Sequence, residues 1–137
     1  MRGWPGHTDP GETFILKIDP KNGGPSISSF LRQTSPSVGI HKHRHPNSDE
    51  ILFLQNGDSV REVHAGSTVY IPAGTWISLS NTGKDGISLV SVFSARGFED
   101  FMRAGSVREG EKNVPMSEAE NNQIEKSHSG DVTYKEP

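Results

Sequence analysis

Turn-forming residues recur so often in this chain that neither a long helix nor a long strand fits between them. Glycine and proline make up 24 of the 137 residues, against a usual share of about 12%. The segments between the turns are short and rich in β-branched and aromatic residues: 13–18, 26–33, 38–45, 50–54, 59–64, 67–71, 75–80 and 87–93. Asp19-Pro20, Ser35-Pro36-Ser37, Pro46-Asn47-Ser48, Asn56-Gly57 and Pro72-Ala73-Gly74 punctuate them, and Asn-Gly is a strong hairpin dipeptide. About eight short strands with regular turns are the pattern of an antiparallel β-sandwich or barrel. The character changes after Phe93. Phe98, Phe101 and Met102 stand at i, i+3 and i+4, which predicts a short amphipathic helix after Gly97. Ser117 with Glu120 three residues later predicts a capped polar helix running to about His128. The expected organisation is a flexible N-terminus at 1–11, one barrel at 12–94 and a helical segment with a polar tail at 95–137.

Composition narrows the functional classes. The chain has no cysteine, so disulfides, thiol nucleophiles and thiolate metal sites are excluded. The longest aliphatic or aromatic run is Ile51-Leu52-Phe53-Leu54, too short for a membrane-spanning helix. The first residues, Met1-Arg2-Gly3-Trp4-Pro5-Gly6, lack a hydrophobic stretch of signal-peptide type, so the expected compartment is the cytoplasm. Net charge is −3, and the excess acid lies in 105–137, while 1–104 carry ten basic and ten acidic residues. A neutral body predicts no nucleic-acid partner and no anionic membrane surface.

The segment His41-Lys42-His43-Arg44-His45 carries the chemistry. On a regular strand alternate residues share a face, so the three histidines are expected to project together. Imidazoles two residues apart are about 6.6 Å apart at the backbone, and both rings can reach one ion. His41 and His45, roughly 13 Å apart along a strand, cannot both do so easily. Glu50 opens the next strand, with Leu52 and Leu54 on its face, and a hairpin can return that face beside the histidines. Two imidazoles and a carboxylate with open positions form the pattern of non-haem iron sites. A solvated strand of alternating His, Lys and Arg is the competing reading.

His43-x-His45-x4-Glu50-x6-Gly57 resembles the first motif of the cupin family. Gly66-x5-Pro72-x-Gly74 resembles the opening of its second motif, and Asn81 falls at that motif's closing Asn. Phe93-Ser94-x-x-Gly97-Phe98-Glu99 is similar to the segment that follows the barrel in small, quercetinase-like cupins. The resemblance spans about residues 25–95. It implies a small antiparallel jelly-roll barrel, commonly a homodimer, with a divalent metal (Fe, Mn, Ni or Zn) held inside by His43, His45 and Glu50. Two departures stand out. Ile77 occupies the position of the second-motif histidine, ordinarily a metal ligand, and the stretch between the motifs is short. His41 and His64 are the candidates to fill the gap.

The resemblance implies either of two functions. One is a metal-dependent enzyme of dioxygenase, isomerase, decarboxylase or lyase type acting on a small organic substrate, with Glu50 as proton acceptor. The other is a non-catalytic barrel that binds or senses a small molecule, its metal site degenerate at Ile77. Phe30, Leu52, Leu54, Ile71, Leu79 and Val90 are the expected cavity residues, and Trp76 is expected to face outward.

Overall fold

A computed structural model describes residues 12–19, 21, 26–56, 63–107, 111–112 and 114–135. Among the described residues seven strands come first along the chain: β1 (Glu12–Ile18), β2 (Ser28–Thr34), β3 (Gly39–Arg44), β4 (Glu50–Asn56), β5 (Thr68–Ile71), β6 (Ile77–Ser80) and β7 (Ile87–Phe93). Then come helices α1 (Phe98–Ala104) and α2 (Glu118–Ser127) and a two-residue strand, β8 (Thr133–Tyr134). The described strands lie close to the expected segments. The flexible N-terminus expected at 1–11 and most of the strand expected at 59–64 lie outside the described residues.

The strands form two sheets. The larger has the order β1-β2-β7-β4-β5 and the smaller β6-β3-β8. Every pairing is antiparallel. This is the antiparallel all-β class that the turn spacing predicts and the jelly-roll class that the resemblance implies. Strand alternation sets the inner face: Ser28, Phe30, Arg32 and Thr34 of β2 are buried, as are Ile87, Leu89, Ser91 and Phe93 of β7. Val90, expected in the cavity, belongs to the other parity of β7, opposite Leu31 and Phe53, and Leu89 faces inward instead. Phe30 is buried but sits in the aromatic core rather than in the cavity wall.

Two clusters hold the molecule together. At one end Phe14, Phe30, Phe93, Phe98, Phe101, Met102 and Val132 pack as one aromatic core. Their edge-to-face and tilted contacts, such as Phe30–Phe93 at 5.5 Å and Phe93–Phe98 at 4.9 Å, suit ring quadrupoles. At the other end Leu54, Ile87 and Leu89 form a smaller group. The first cluster explains α1. Phe98, Phe101 and Met102 form its buried stripe, as their spacing predicts, and Arg103 ties it to the buried Asp19 at the end of β1. In α2, Ser117 Oγ accepts from the Glu120 N–H while Glu120 reaches back to the Ser117 N–H, completing the capping box.

The stretch expected to be a polar tail returns to the fold. Val132 is 1% exposed, and β8 pairs with β3 through His43↔Tyr134 and Arg44↔Thr133. Gly97 makes the return possible. Its φ is 123°, and a Cβ there would overlap the Asp131 carboxylate. Gly97→Ala is therefore expected to destabilise the fold by about 1–3 kcal/mol, through left-handed strain and displacement of Asp131. Urea denaturation at neutral pH checks this, and an unchanged midpoint would show that Asp131 is not held there.

Candidate metal centre

β3 does not run as a regular strand, and this irregularity builds the site. Its pairing with β6 shifts register between Ile40 and His43, a β-bulge. Ile40 and His43 are both buried, while His41 and Lys42 between them are exposed. The expectation that His41 shares a face with His43 and His45 is thus overturned, because the extra residue resets the alternation. His41 contributes its backbone: its carbonyl lies 2.7 Å from His43 Nδ1. His64 is exposed and stands outside the group.

Three buried side chains converge. His43, His45 and Glu50 offer ligand atoms that all lie within 4.8 Å of one another. They are 4%, 3% and 5% exposed. His43 and His45 bracket the end of β3, and Glu50 opens β4 after the Pro46-Asn47 turn. Gly74, with φ 77°, donates its N–H to the His45 carbonyl at 2.8 Å. The Pro72–Gly74 turn thereby steadies the end of the histidine strand, and a positive-φ glycine is what its position in the sequence predicts.

The imidazoles are held in one orientation. His45 Nδ1 lies 2.8 Å from the Asp131 carbonyl, as His43 Nδ1 does from that of His41. A carbonyl only accepts, so each Nδ1 carries its hydrogen and each Nε2 keeps its lone pair. This is how metal-ligating histidines are ordinarily oriented. The His45 ring is packed between Phe93 and Phe98 at 4.8 and 4.5 Å, and Tyr134 of β8 lies 5.7 Å from the His43 ring.

Burial keeps both rings neutral. His43 is lowered to about 3, by desolvation first and then by the neighbouring His45. His45 is lowered to about 4, again chiefly by desolvation. Desolvation pushes the Glu50 carboxyl up to about 7, opposed by the Arg32 charge and a hydrogen bond from Ser91. The 3.8 Å approach of His45 Nε2 to Glu50 Oε2 is therefore not an ion pair at neutral pH. Both atoms are buried and lack a hydrogen-bond partner. Buried polar atoms are almost always satisfied, so two facing orphans with lone pairs ask for a shared cation. Donors about 2.1 Å from one ion can be up to about 4 Å apart, which this separation meets.

A cavity of about 650 Å³ opens from His43 and Glu50 between the two sheets. Leu52, Leu54, Ile71 and Leu79 line it as expected, together with Ile40 and Leu89. Ile77 pairs with His43 across β3 and β6 and also lines the cavity, so an aliphatic side chain stands beside the triad where a fourth ligand could come from. Trp76, expected to face outward, is 38% exposed but also lines the cavity, with the Arg44 guanidinium 4.8 Å from its ring centre. Asp49 does not reach a ligand histidine. It accepts from the Ala73 N–H at 2.8 Å and pairs with the exposed Tyr70 hydroxyl, which raises that phenol. The residue missed from sequence is Arg32, which lines the cavity beside His43 and Glu50. Its signal was the two-residue spacing from Phe30 on the inward face of β2.

No family model matches the chain, and no curated protein does so either. Solved structures do match. An oxalate oxidase in complex with glycolate superposes with a TM-score of 0.58 at 19% identity, covering 90% of this chain and 75% of its own. A sugar phosphate isomerase from a cupin superfamily, from Silicibacter pomeroyi DSS-3, gives 0.53 at 16% identity over 64% of this chain and 61% of its own. This protein has the cupin fold. An oxalate decarboxylase, matched with a TM-score of 0.56 at 20% identity over 64% of this chain, is much longer, and this chain spans 27% of it. Among the described residues, no helix of this chain is long and apolar enough to cross a membrane.

Proposed function

We propose that this cupin is a metal-dependent enzyme that binds a divalent ion through His43 Nε2, His45 Nε2 and Glu50 and acts on a small organic substrate in the cavity. The observation that carries the reading is the pair of buried, unpartnered lone-pair atoms on His45 and Glu50, with both imidazoles already oriented by backbone carbonyls. When bound, a divalent ion there supplies Lewis acidity and open coordination positions. The chain's own residues supply the rest. Neutral rings present lone pairs, the aliphatic walls surround the substrate, and Glu50 supplies the anionic donor, with its second carboxylate oxygen left to accept a proton. Dioxygenase chemistry on an enol or phenol is the reaction class we assign, from the resemblance to quercetinase-like cupins.

We assign the cytoplasm as compartment and a homodimer as assembly. The dimer is supported by the exposed Ile15, Ile51 and Phe53 on the outer face of the larger sheet. Ile77 favours a second reading, a barrel that binds a small molecule without catalysis.

Elemental mass spectrometry after incubation with Fe(II), Mn(II), Ni(II) or Zn(II), followed by desalting, tests the proposal. Near-stoichiometric uptake of at least one metal is expected. No uptake of any of the four would remove the enzyme reading and leave the second. Ile77→His places an imidazole beside His43 and is expected to tighten metal binding at least tenfold in a chelator competition, since one more ligand joins an otherwise suitable site. Unchanged affinity would show that the ion sits elsewhere.

A further inference from the structure

We propose that the substrate of this cavity carries a linear aliphatic chain of about eight carbons behind an oxygen-bearing head, with the head at the triad and the chain running along β4 toward Leu54. The proposal rests on the metal reading above for the place of the head, and it names the substrate class of that site.

The strand registers lay the cavity out in layers. Glu50, Leu52 and Leu54 follow one another at two-residue steps along the inner side of β4. Ile71 of β5 stands opposite Glu50, and Val69 opposite Leu52. On the smaller sheet Ile77 pairs with His43, and Leu79 pairs with Ile40, further along β3 from the triad. Leu54 packs with the buried Ile87 and Leu89, and Val63 and Leu79 pack against that group. The end remote from the triad is therefore largely aliphatic on both sheets and finishes on a packed cluster.

The buried charged groups gather at the opposite end. His43 and Glu50 are there, and so is the Arg32 guanidinium, whose Nη2 lies 3.8 Å from the sulfur of Met102 in the aromatic core. The exposed Lys42, Tyr70, Thr75 and Trp76 belong to the rim.

This gradient of polarity decides the ligand. An aliphatic wall offers dispersion contacts but few hydrogen bonds, so a sugar or a small polar dianion placed against it loses hydration without replacement. An alkyl chain gains about threefold to fourfold in affinity for each methylene it buries. Glu50 to Leu54 spans roughly 13 Å at the usual rise per residue, the extended length of about ten carbons, of which the head takes the first two. The cavity, at about 650 Å³, has the volume to hold such a chain. Of the enol and the phenol named above, this selects an enol that bears an alkyl chain.

Calorimetry on the full-length, zinc-loaded protein tests this, with aceto-, hexano-, octano-, dodecano- and benzohydroxamate as probes that share one metal-binding head. Affinity is expected to rise about a hundredfold or more from the two-carbon to the eight-carbon probe and then to level off. Benzohydroxamate is expected to bind roughly tenfold or more weakly than octanohydroxamate. Leu79→Trp fills the far end and should weaken octanohydroxamate about tenfold or more, with zinc stoichiometry unchanged. Affinity indifferent to chain length, a rise that continues to twelve carbons, tightest binding by benzohydroxamate, or an unchanged octanohydroxamate affinity in Leu79→Trp would each overturn the proposal. Should Leu79→Trp fail to fold, the methyl resonances of Leu54, Leu79 and Leu89 in the wild type decide. Octan-1-ol must shift them, and ethanol at the same concentration must not. That readout needs no metal, so a failure of zinc uptake sinks the metal reading and leaves the chain site separately decided.

Discussion

Glu50→Gln is expected to abolish tight metal binding while making the metal-free protein more stable above neutral pH. The two effects have one origin. Glu50 is a buried carboxyl raised from 4.5 to about 7 by desolvation. Between those values the folded state keeps a proton that the unfolded chain has released, so the stability from this group is full below 4.5 and is lost as pH rises through 7. The imidazoles run the other way. His43 falls from 6.5 to about 3 and His45 to about 4. The unfolded chain takes up protons that the folded state refuses, so their contribution is full above 6.5 and is lost as pH falls through 4 and 3. These three groups alone place the metal-free optimum near pH 6.5. A neutral glutamine removes the alkaline decline, a gain of up to about 3 kcal/mol at pH 8 by the linkage of about 1.4 kcal/mol per pKa unit. It also removes the anionic ligand, so affinity should drop by about two orders of magnitude or more, and the rise in melting temperature on adding Zn(II) should vanish. Urea titrations at pH 6 and pH 8, with and without Zn(II), check both signs. A variant that still gains stability from zinc would remove Glu50 from the ligand set.

Ending the chain after Ser127 is expected to weaken metal binding about 10–100-fold, although none of the three ligands is removed. The lost segment supplies the Asp131 carbonyl to His45 Nδ1, Tyr134 beside the His43 ring, and Val132 to the aromatic core. It is tied down by Asn47 Nδ2 donating to the Gly130 carbonyl at 2.9 Å and by the Lys135 N–H donating to the Lys42 carbonyl at 2.9 Å. Without it, the His45 ring can rotate, and either nitrogen can carry the proton. Linkage requires the converse in the intact chain, where metal should hold the segment down. Hydrogen exchange of the Val132 and Lys135 amides, bonded to the His128 and Lys42 carbonyls, is expected to slow on adding Zn(II). This readout survives even if the shortened chain fails to fold. Exchange indifferent to a metal that demonstrably binds would uncouple the segment from the site.

Much of the fold was legible because its signals are local. Turn residues stop strands within a few positions, and period-two alternation assigns faces one residue at a time. The Ser117–Glu120 box and the Phe98, Phe101 and Met102 stripe each lie within one or two helical turns, and both helices form where they imply. Gly74 takes positive φ because the Pro72 turn requires it. Where alternation failed, something non-local intervened. The bulge in β3 turns His41 outward, and it is defined only against β6, some 35 residues later. Val90, an expected cavity residue, lies on the other face of β7, as its pairing with Leu31 of β2 and Phe53 of β4 shows.

The site divides along the same line. His43, His45 and Glu50 are separated by one short turn, so their convergence follows from strand spacing and hairpin return, and the sequence by itself determined that these three meet. The missing imidazole at Ile77 is equally plain in the sequence. Only the tertiary structure decided which nitrogen of each ring is left to bind, because the orienting carbonyl of Asp131 comes from 86 residues away. It also decided that Arg32 joins the triad from a strand on the other side of β7, and that the C-terminal residues close over His43 as a strand. A side chain's neighbours along the chain are fixed by covalent geometry. Its neighbours across a sheet are fixed by which strands find one another, and that choice is made by burial of the whole core at once.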